Sequence, residues 1–120
     1  MGKAVGIGGV FFRATDTTAL SAWYEMHLGI TGFWGQDAGM TVFAPFPSDS
    51  DYFPASRQWM INFRVDDLAA LIAQLTQAGI AVETRVEWDT PETGRFARIH
   101  DPEGNPVELW QPPAADSGNE

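Results

Sequence analysis

The stretch MINFRVDDLAALIAQLTQAGI, residues 60–80, holds a strand, a helix and a stop signal in one run. In residues 60–65, Ile61, Phe63 and Val65 point one way while Met60, Asn62 and Arg64 point the other, the period-two alternation of a half-buried strand. Next, Leu68, Leu71, Ile72 and Leu75 recur at i, i+3, i+4 and i+7. That spacing predicts an amphipathic helix, with Asp66 or Asp67 as its N-cap and Gly79 placed to end it. The apolar strand face is expected to meet this helix, which leaves the polar set on the opposite side.

The same pattern occurs earlier, in GVFFRATDTTALSAWYEMHLGI, residues 9–30. Phe12 falls on Phe63, Arg13 on Arg64, Asp16 on Asp67 and Leu20 on Leu71; after one dropped residue, Gly29 and Ile30 fall on Gly79 and Ile80. A first helix is therefore predicted over about 17–28, with Leu20, Trp23, Tyr24, His27 and Leu28 on one face and Gly29 as its stop. In the strand before it, 9–14, Val10 and Phe12 share one face; Gly9, Phe11 and Arg13 share the other. Strand-like pieces follow each helix. They are TGFWG (31–35) and MTVFAPF (40–46) in the shorter first half, and AVETRVEW (81–88), GRFARIH (94–100) and PVELWQP (106–112) in the second. Between the halves, PSDSDYFPASRQ (47–58) reads as a loop. The closing PAADSGNE (113–120) has nothing to bury and is expected to be disordered.

Composition narrows the classes of function. A chain of 120 residues suits one domain, 1–120, with one core or one core shared by two small halves. The net charge of -9, with only seven Lys and Arg, opposes binding to a phosphate backbone, so nucleic acid is not expected as a partner. No apolar run approaches the roughly 20 residues of a membrane span, and the start lacks a signal-peptide h-region. A cytoplasmic location is the default expectation. The absence of cysteine excludes disulfides, thiolate metal sites and a thiol nucleophile.

The repeated unit and the closing GRFARIHDPEGNPVELWQP (94–112) resemble the vicinal oxygen chelate superfamily, that of glyoxalase I, bleomycin-resistance proteins and extradiol dioxygenases. The resemblance covers about residues 5–112. Its most specific part is the last hairpin, with its Gly-Arg-Phe entry, Asp-Pro-x-Gly-Asn turn and Val-Glu-Leu-Trp exit. It implies an α+β fold in which two βαβββ modules, 5–46 and 59–112, joined by 47–58, form a cupped mixed sheet. The first module would be shortened. A homodimer, a small-molecule ligand and a site in the cup are implied in the same way.

In the metal-dependent members, the resemblance puts ligands at positions that fall on Gly9, Met60, Glu108 and approximately Thr41. Only Glu108 is a strong ligand for a hard divalent ion; glycine offers no side-chain donor and a thioether is soft. His100 lies several positions from Glu108 along the hairpin, and His27 sits at a helix end beyond the sheet. A divalent metal is therefore disfavoured and no cofactor is expected, which also disfavours glutathione-dependent glyoxalase chemistry. A turn centred on 102–105 puts Arg98 near or directly across from Glu108, where an ion pair is expected. With Arg13 and Arg64 also on the cup side, an anion pocket is one reading. The other is that polar strand residues simply avoid the helix-packed face. Phe11, Phe43, Phe96 and Trp110, flanked by Met60 and Asn62, suggest aromatic walls, although such residues also fill cores and interfaces. Trp59 and the DYF at 51–53 either cover the rim or pack the loop.

The candidate ligand-binding set is thus Phe11, Arg13, Asn62, Arg64, Phe96, Arg98 and Trp110, with Glu108 as catalytic base or residual ligand. GIGG (6–9) lacks dinucleotide-loop spacing, and Ser21, Ser48, Ser50 and Ser56 have no evident His-acid partner. The leading expectation is a small-molecule-binding protein without the usual metal centre. Alternatives are a metal-dependent lyase, isomerase or dioxygenase using Glu108, a drug-sequestering resistance protein, and a regulatory module whose cup is vestigial.

Overall fold

A computed structural model describes residues 2–114. The aligned repeat positions do the same work in both halves. Helix α1 (Thr17–Leu28) is capped by Asp16, whose side chain accepts from the Ala19 amide at 3.0 Å, and α2 (Leu68–Gln77) is capped by Asp67, which accepts from Ala70 at 3.0 Å. Asp67, not Asp66, is thus the N-cap of α2. Each helix is followed by a glycine at positive φ, Gly29 at 72° and Gly79 at 84°, a conformation in which glycine carries no Cβ penalty.

Three strands form one mixed sheet in the order β1-β3-β2: β1 (Ile61–Arg64), β2 (Arg95–His100) and β3 (Pro106–Gln111). β3 runs parallel to β1 and antiparallel to β2. Alternation turns Ala97, Ile99, Val107 and Leu109 to one face, where they pack with Leu68 and Leu75 of α2 and Leu20 and Tyr24 of α1. Phe63 and Val65 lie against the same cluster, as the sequence pattern requires. Leu68, Leu75, Ile99, Val107 and Leu109 are fully buried, each side chain contributing about 1.5–3 kcal/mol.

The β2–β3 turn is built around Asp101. Its Oδ1 accepts from the amides of Glu103 (2.9 Å) and Asn105 (3.0 Å), and its Oδ2 accepts from Asn105 Nδ2 (2.8 Å) and from the buried Tyr24 hydroxyl (2.7 Å). Gly104, at φ 82°, closes the turn by donating its backbone N–H to the Asp101 carbonyl. The turn also grips both its neighbours. The Glu103 carboxylate accepts from the Thr15 and Asp16 amides ahead of α1, and Arg57 Nη1 donates to Asn105 Oδ1 from the connecting loop. The sequence motif that carries the family resemblance is therefore also the joint between the two halves of the chain.

Several expected strands are absent. Among the described residues no strand precedes Ile61: 9–14, 31–35 and 40–46 have alternation but no neighbouring backbone to bond to, and alternation alone does not make a ladder. In the second half, 81–88 is not a continuous strand. Glu83 exchanges two backbone hydrogen bonds with Arg98, of 2.8 and 2.9 Å, and Val86–Trp88 then tightens into a 3-10 turn. The second half therefore keeps the order strand, helix, bridge, strand, strand. The expected disordered tail, 113–120, lies beyond Ala114 outside the described residues. Among the described residues no helix is long and apolar enough to cross a membrane.

Candidate functional site

The sheet face turned away from the core carries two rows set by strand register. One is Asn62, Glu108 and Arg98; the next is Arg64, Trp110 and Phe96. Six of the residues singled out from sequence thus stand side by side, because the turn sets the register of β2 on β3 and β1 pairs in parallel along the other edge of β3.

Glu108 is 8% exposed although it sits on the open face. Asn62 Nδ2 donates to its Oε1 at 2.7 Å, and the Tyr52 hydroxyl donates to its Oε2 in a short hydrogen bond. Arg98 lies directly opposite and is 7% exposed, but the expected ion pair does not form; among the described residues the salt bridge is between Arg85 and Glu83. Arg98 Nη2 donates to the Tyr52 carbonyl at 3.0 Å instead, and its guanidinium lies 4.9 Å from the Tyr52 ring centroid and 5.9 Å from that of Trp88. Its Nε is buried without a hydrogen-bond partner. Tyr52 is therefore the shared partner that replaces the direct contact. Burial, and then the hydrogen bond to Glu108 and its charge, push the Tyr52 phenol up to about 12, with Arg98 opposing.

The remaining arginines are committed or remote. Arg64 donates from Nη2 to the Asp37 carbonyl (2.9 Å) and from Nη1 to that of Ala38 (3.2 Å), tying down the loop ahead of it. Arg13 is exposed and forms no ion pair among the described residues. An anion pocket lined by three free guanidinium groups is not what the chain builds.

The aromatic wall also differs from expectation. Phe96 and Trp110 stack with ring planes 6° apart and centroids 6.1 Å apart, and Trp110 Nε1 donates to the Thr93 carbonyl at 2.7 Å. Phe11 is 97% exposed and Phe43 80%, so neither lines the site; Trp59 is exposed as well. Tyr52 takes their place. Its ring packs against Phe46 (5.8 Å) and Trp88 (6.2 Å), and Phe46 also meets Phe53. Nothing in the sequence of 81–88 marks the 3-10 turn at Val86–Trp88 that brings the Trp88 ring back to the site. The signal for Tyr52 was two aromatic residues inside a Pro, Ser and Asp loop that otherwise had no reason to carry them.

These residues do not fit a divalent-metal centre. Both Glu108 oxygens already accept hydrogen bonds, Gly9 and Thr41 are exposed, and Met60 offers a soft sulfur. Among the described residues no three of His, Asp and Glu gather as a ligand cluster. His100 stands exposed opposite Pro106 at the end of β2, and His27 packs on Trp23 along α1. What the site does offer is a buried carboxylate held by neutral donors beside aromatic rings and a stacked guanidinium.

Residues 9–110 match the family described as a glyoxalase-like domain. Among solved structures, the chain is similar to TnmS3, an antibiotic binding protein from Streptomyces sp. CB03234. The two are 24% identical with a TM-score of 0.52, over 91% of this chain and 99% of that one. A glyoxalase/bleomycin resistance protein from Streptomyces sp. CB03234 is 34% identical over 45% of this chain and 46% of its own, with a TM-score of 0.34. No curated protein matches.

Proposed function

The chain belongs to the glyoxalase-like domain family, of the vicinal oxygen chelate superfamily, and from that premise we propose that it binds a small molecule in the cup over Glu108 without the usual metal centre. One observation carries this. A carboxylate 8% exposed, on the open side of a sheet, is satisfied among the described residues by the neutral donors Asn62 and Tyr52, with aromatic rings beside it. Burying a carboxylate with no direct ion pair is costly, which favours a role for it beyond that of a polar surface. Apolar walls with few oriented polar groups suit a small-molecule site. Sequestration of a drug-like compound is the finer reading, supported by the antibiotic binding of TnmS3, which shares the fold. The test is a calorimetric titration of the purified protein with a panel of aromatic compounds, alongside Glu108→Gln, with the mixtures then analysed for product. Saturable binding weakened by the substitution, with no product, is expected. Turnover lost in Glu108→Gln would favour a general-base enzyme instead.

The same reading includes a homodimer of two-module chains. The protein exposes 9116 Å², against about 6,400 Å² expected for a compact chain of its mass. Phe11, Phe12, Phe33, Val42 and Phe43 contribute to that surplus, and among the described residues the outer edge of β1 has no strand beside it. A second copy gives these segments both a partner strand and a place to bury their side chains. Sedimentation velocity is expected to give twice the 13.2 kDa chain mass, and Phe11→Asp to shift it toward one.

A further inference from the structure

Tyr52 reaches the open face of the sheet from an irregular segment and meets both of its buried charged side chains. Its hydroxyl donates to Glu108, its carbonyl accepts from Arg98, and its ring lies beneath the guanidinium and beside Phe46 and Trp88. Those side-chain and carbonyl contacts are what hold it in place. It is carried by no helix or strand, its neighbour Asp51 is exposed, and its own amide is held by one bond, 3.2 Å to Ser50 Oγ. Glu108 cannot be left with Asn62 alone, because a buried carboxylate oxygen without a donor is strongly disfavoured. An occupant that takes the place of Tyr52 and keeps water out must therefore bring a donor of its own, on a group flat enough to lie under a guanidinium. The Arg98 Nε, buried and unmet while Tyr52 is in place, is a donor left for an occupant that carries an acceptor.

We propose that the cup binds a hydroxylated aromatic ligand in exchange for the Tyr52 side chain, the ligand's hydroxyl donating to Glu108 in its stead. This rests on the cup being the binding site. The tyrosine is a tethered stand-in for the ligand's ring and hydroxyl. A neutral phenol suits the site, since a phenolate would set a second negative charge against Glu108.

Tyr52→Gly in the full chain opens a space of the shape of p-cresol. Tryptophan fluorescence and ligand-observed NMR would follow its binding, with 4-methylanisole, the same ring without a donor, as control. Binding of p-cresol at least tenfold tighter than 4-methylanisole is expected, with the preference gone in Tyr52→Gly/Glu108→Leu. Equal binding of the two probes, or a preference that survives Glu108→Leu, overturns the hydroxyl requirement while leaving the cup a binding site. No binding of either probe to the folded variant overturns the cup itself. Should Tyr52→Gly fail to fold, Tyr52→Phe keeps the ring and removes the competing hydroxyl. It is expected to bind 2-naphthol at least fivefold tighter than the unaltered chain, and equal affinity overturns the proposal.

Discussion

Tyr24 and Asp101, 77 residues apart, are joined by a buried hydrogen bond of 2.7 Å that ties α1 to the β2–β3 turn. The carboxylate meets three further donors inside the turn. Hydrogen bonds to charged groups contribute about 1.5–3 kcal/mol each, so Tyr24→Phe is expected to lower stability by about 2 kcal/mol. Asp101→Ala orphans the turn amides as well and is expected to cost more. Urea unfolding of the two variants checks the order; a milder effect for Asp101→Ala would show that the turn holds without its hub.

The chain has two tyrosines, and each donates to a carboxylate. Burial first, and then the acid partner, raises both phenols above the ordinary value near 10: Tyr52 to about 12, and Tyr24 far up in the same direction. A phenol whose folded pKa exceeds its unfolded one holds its proton more tightly when folded. The linked stability is full below pH 10 and is lost as the pH rises toward about 12. Little phenolate absorbance at 295 nm is expected from the native protein at pH 10.5, against more than half from the urea-unfolded chain. A native tyrosine ionising near pH 10 would mean that Tyr52 does not rest on Glu108. Glu108→Gln should bring one tyrosine, and only one, down toward that value.

What could be read from sequence divides along physical lines. The helices were legible, the first at about 17–28 where Thr17–Leu28 forms, because caps, apolar spacing and positive-φ glycines are local signals. The pairing of Arg98 with Glu108 was legible too, since a turn fixes register. Their interaction was not. Tyr52 arrives from a loop whose path no periodicity encodes, and it takes both partners. The strands expected at 9–14 and 40–46 went astray for a related reason: a strand is defined by its neighbour, which alternation within one segment does not supply.

Gly94 opens β2 at φ 100°, and its amide and carbonyl both bond Thr90, at 2.8 and 3.1 Å. A Cβ here would collide with the Gln111 carbonyl across the strand pair, in a backbone conformation that L-residues avoid. Gly94→Ala is expected to cost at least about 2 kcal/mol and to loosen the Thr93 carbonyl that holds Trp110. Thermal unfolding, together with the near-ultraviolet tryptophan signal, measures both effects. An unchanged melting temperature would show that the turn into β2 has slack.

Arg98 and Glu108 occupy opposite positions of an antiparallel pair, where oppositely charged residues are expected to stabilise each other directly. The guanidinium instead stacks on Tyr52 and bonds its carbonyl, while Glu108 takes the Tyr52 hydroxyl. Double-mutant cycles separate the two arrangements, since coupling energy reports the contact that exists. Arg98→Met with Tyr52→Leu is expected to show coupling of about 1 kcal/mol, the scale of a partly buried cation over a ring. Arg98→Met with Glu108→Gln is expected to show less, with charges that share a mediator and no hydrogen bond. The reverse order would restore the direct ion pair and move Tyr52 out of the cup. Arg98→Lys adds a third point, because an ammonium keeps the charge but cannot stack as a plane. If stacking dominates, lysine forfeits most of the Tyr52 coupling; if charge dominates, lysine retains it.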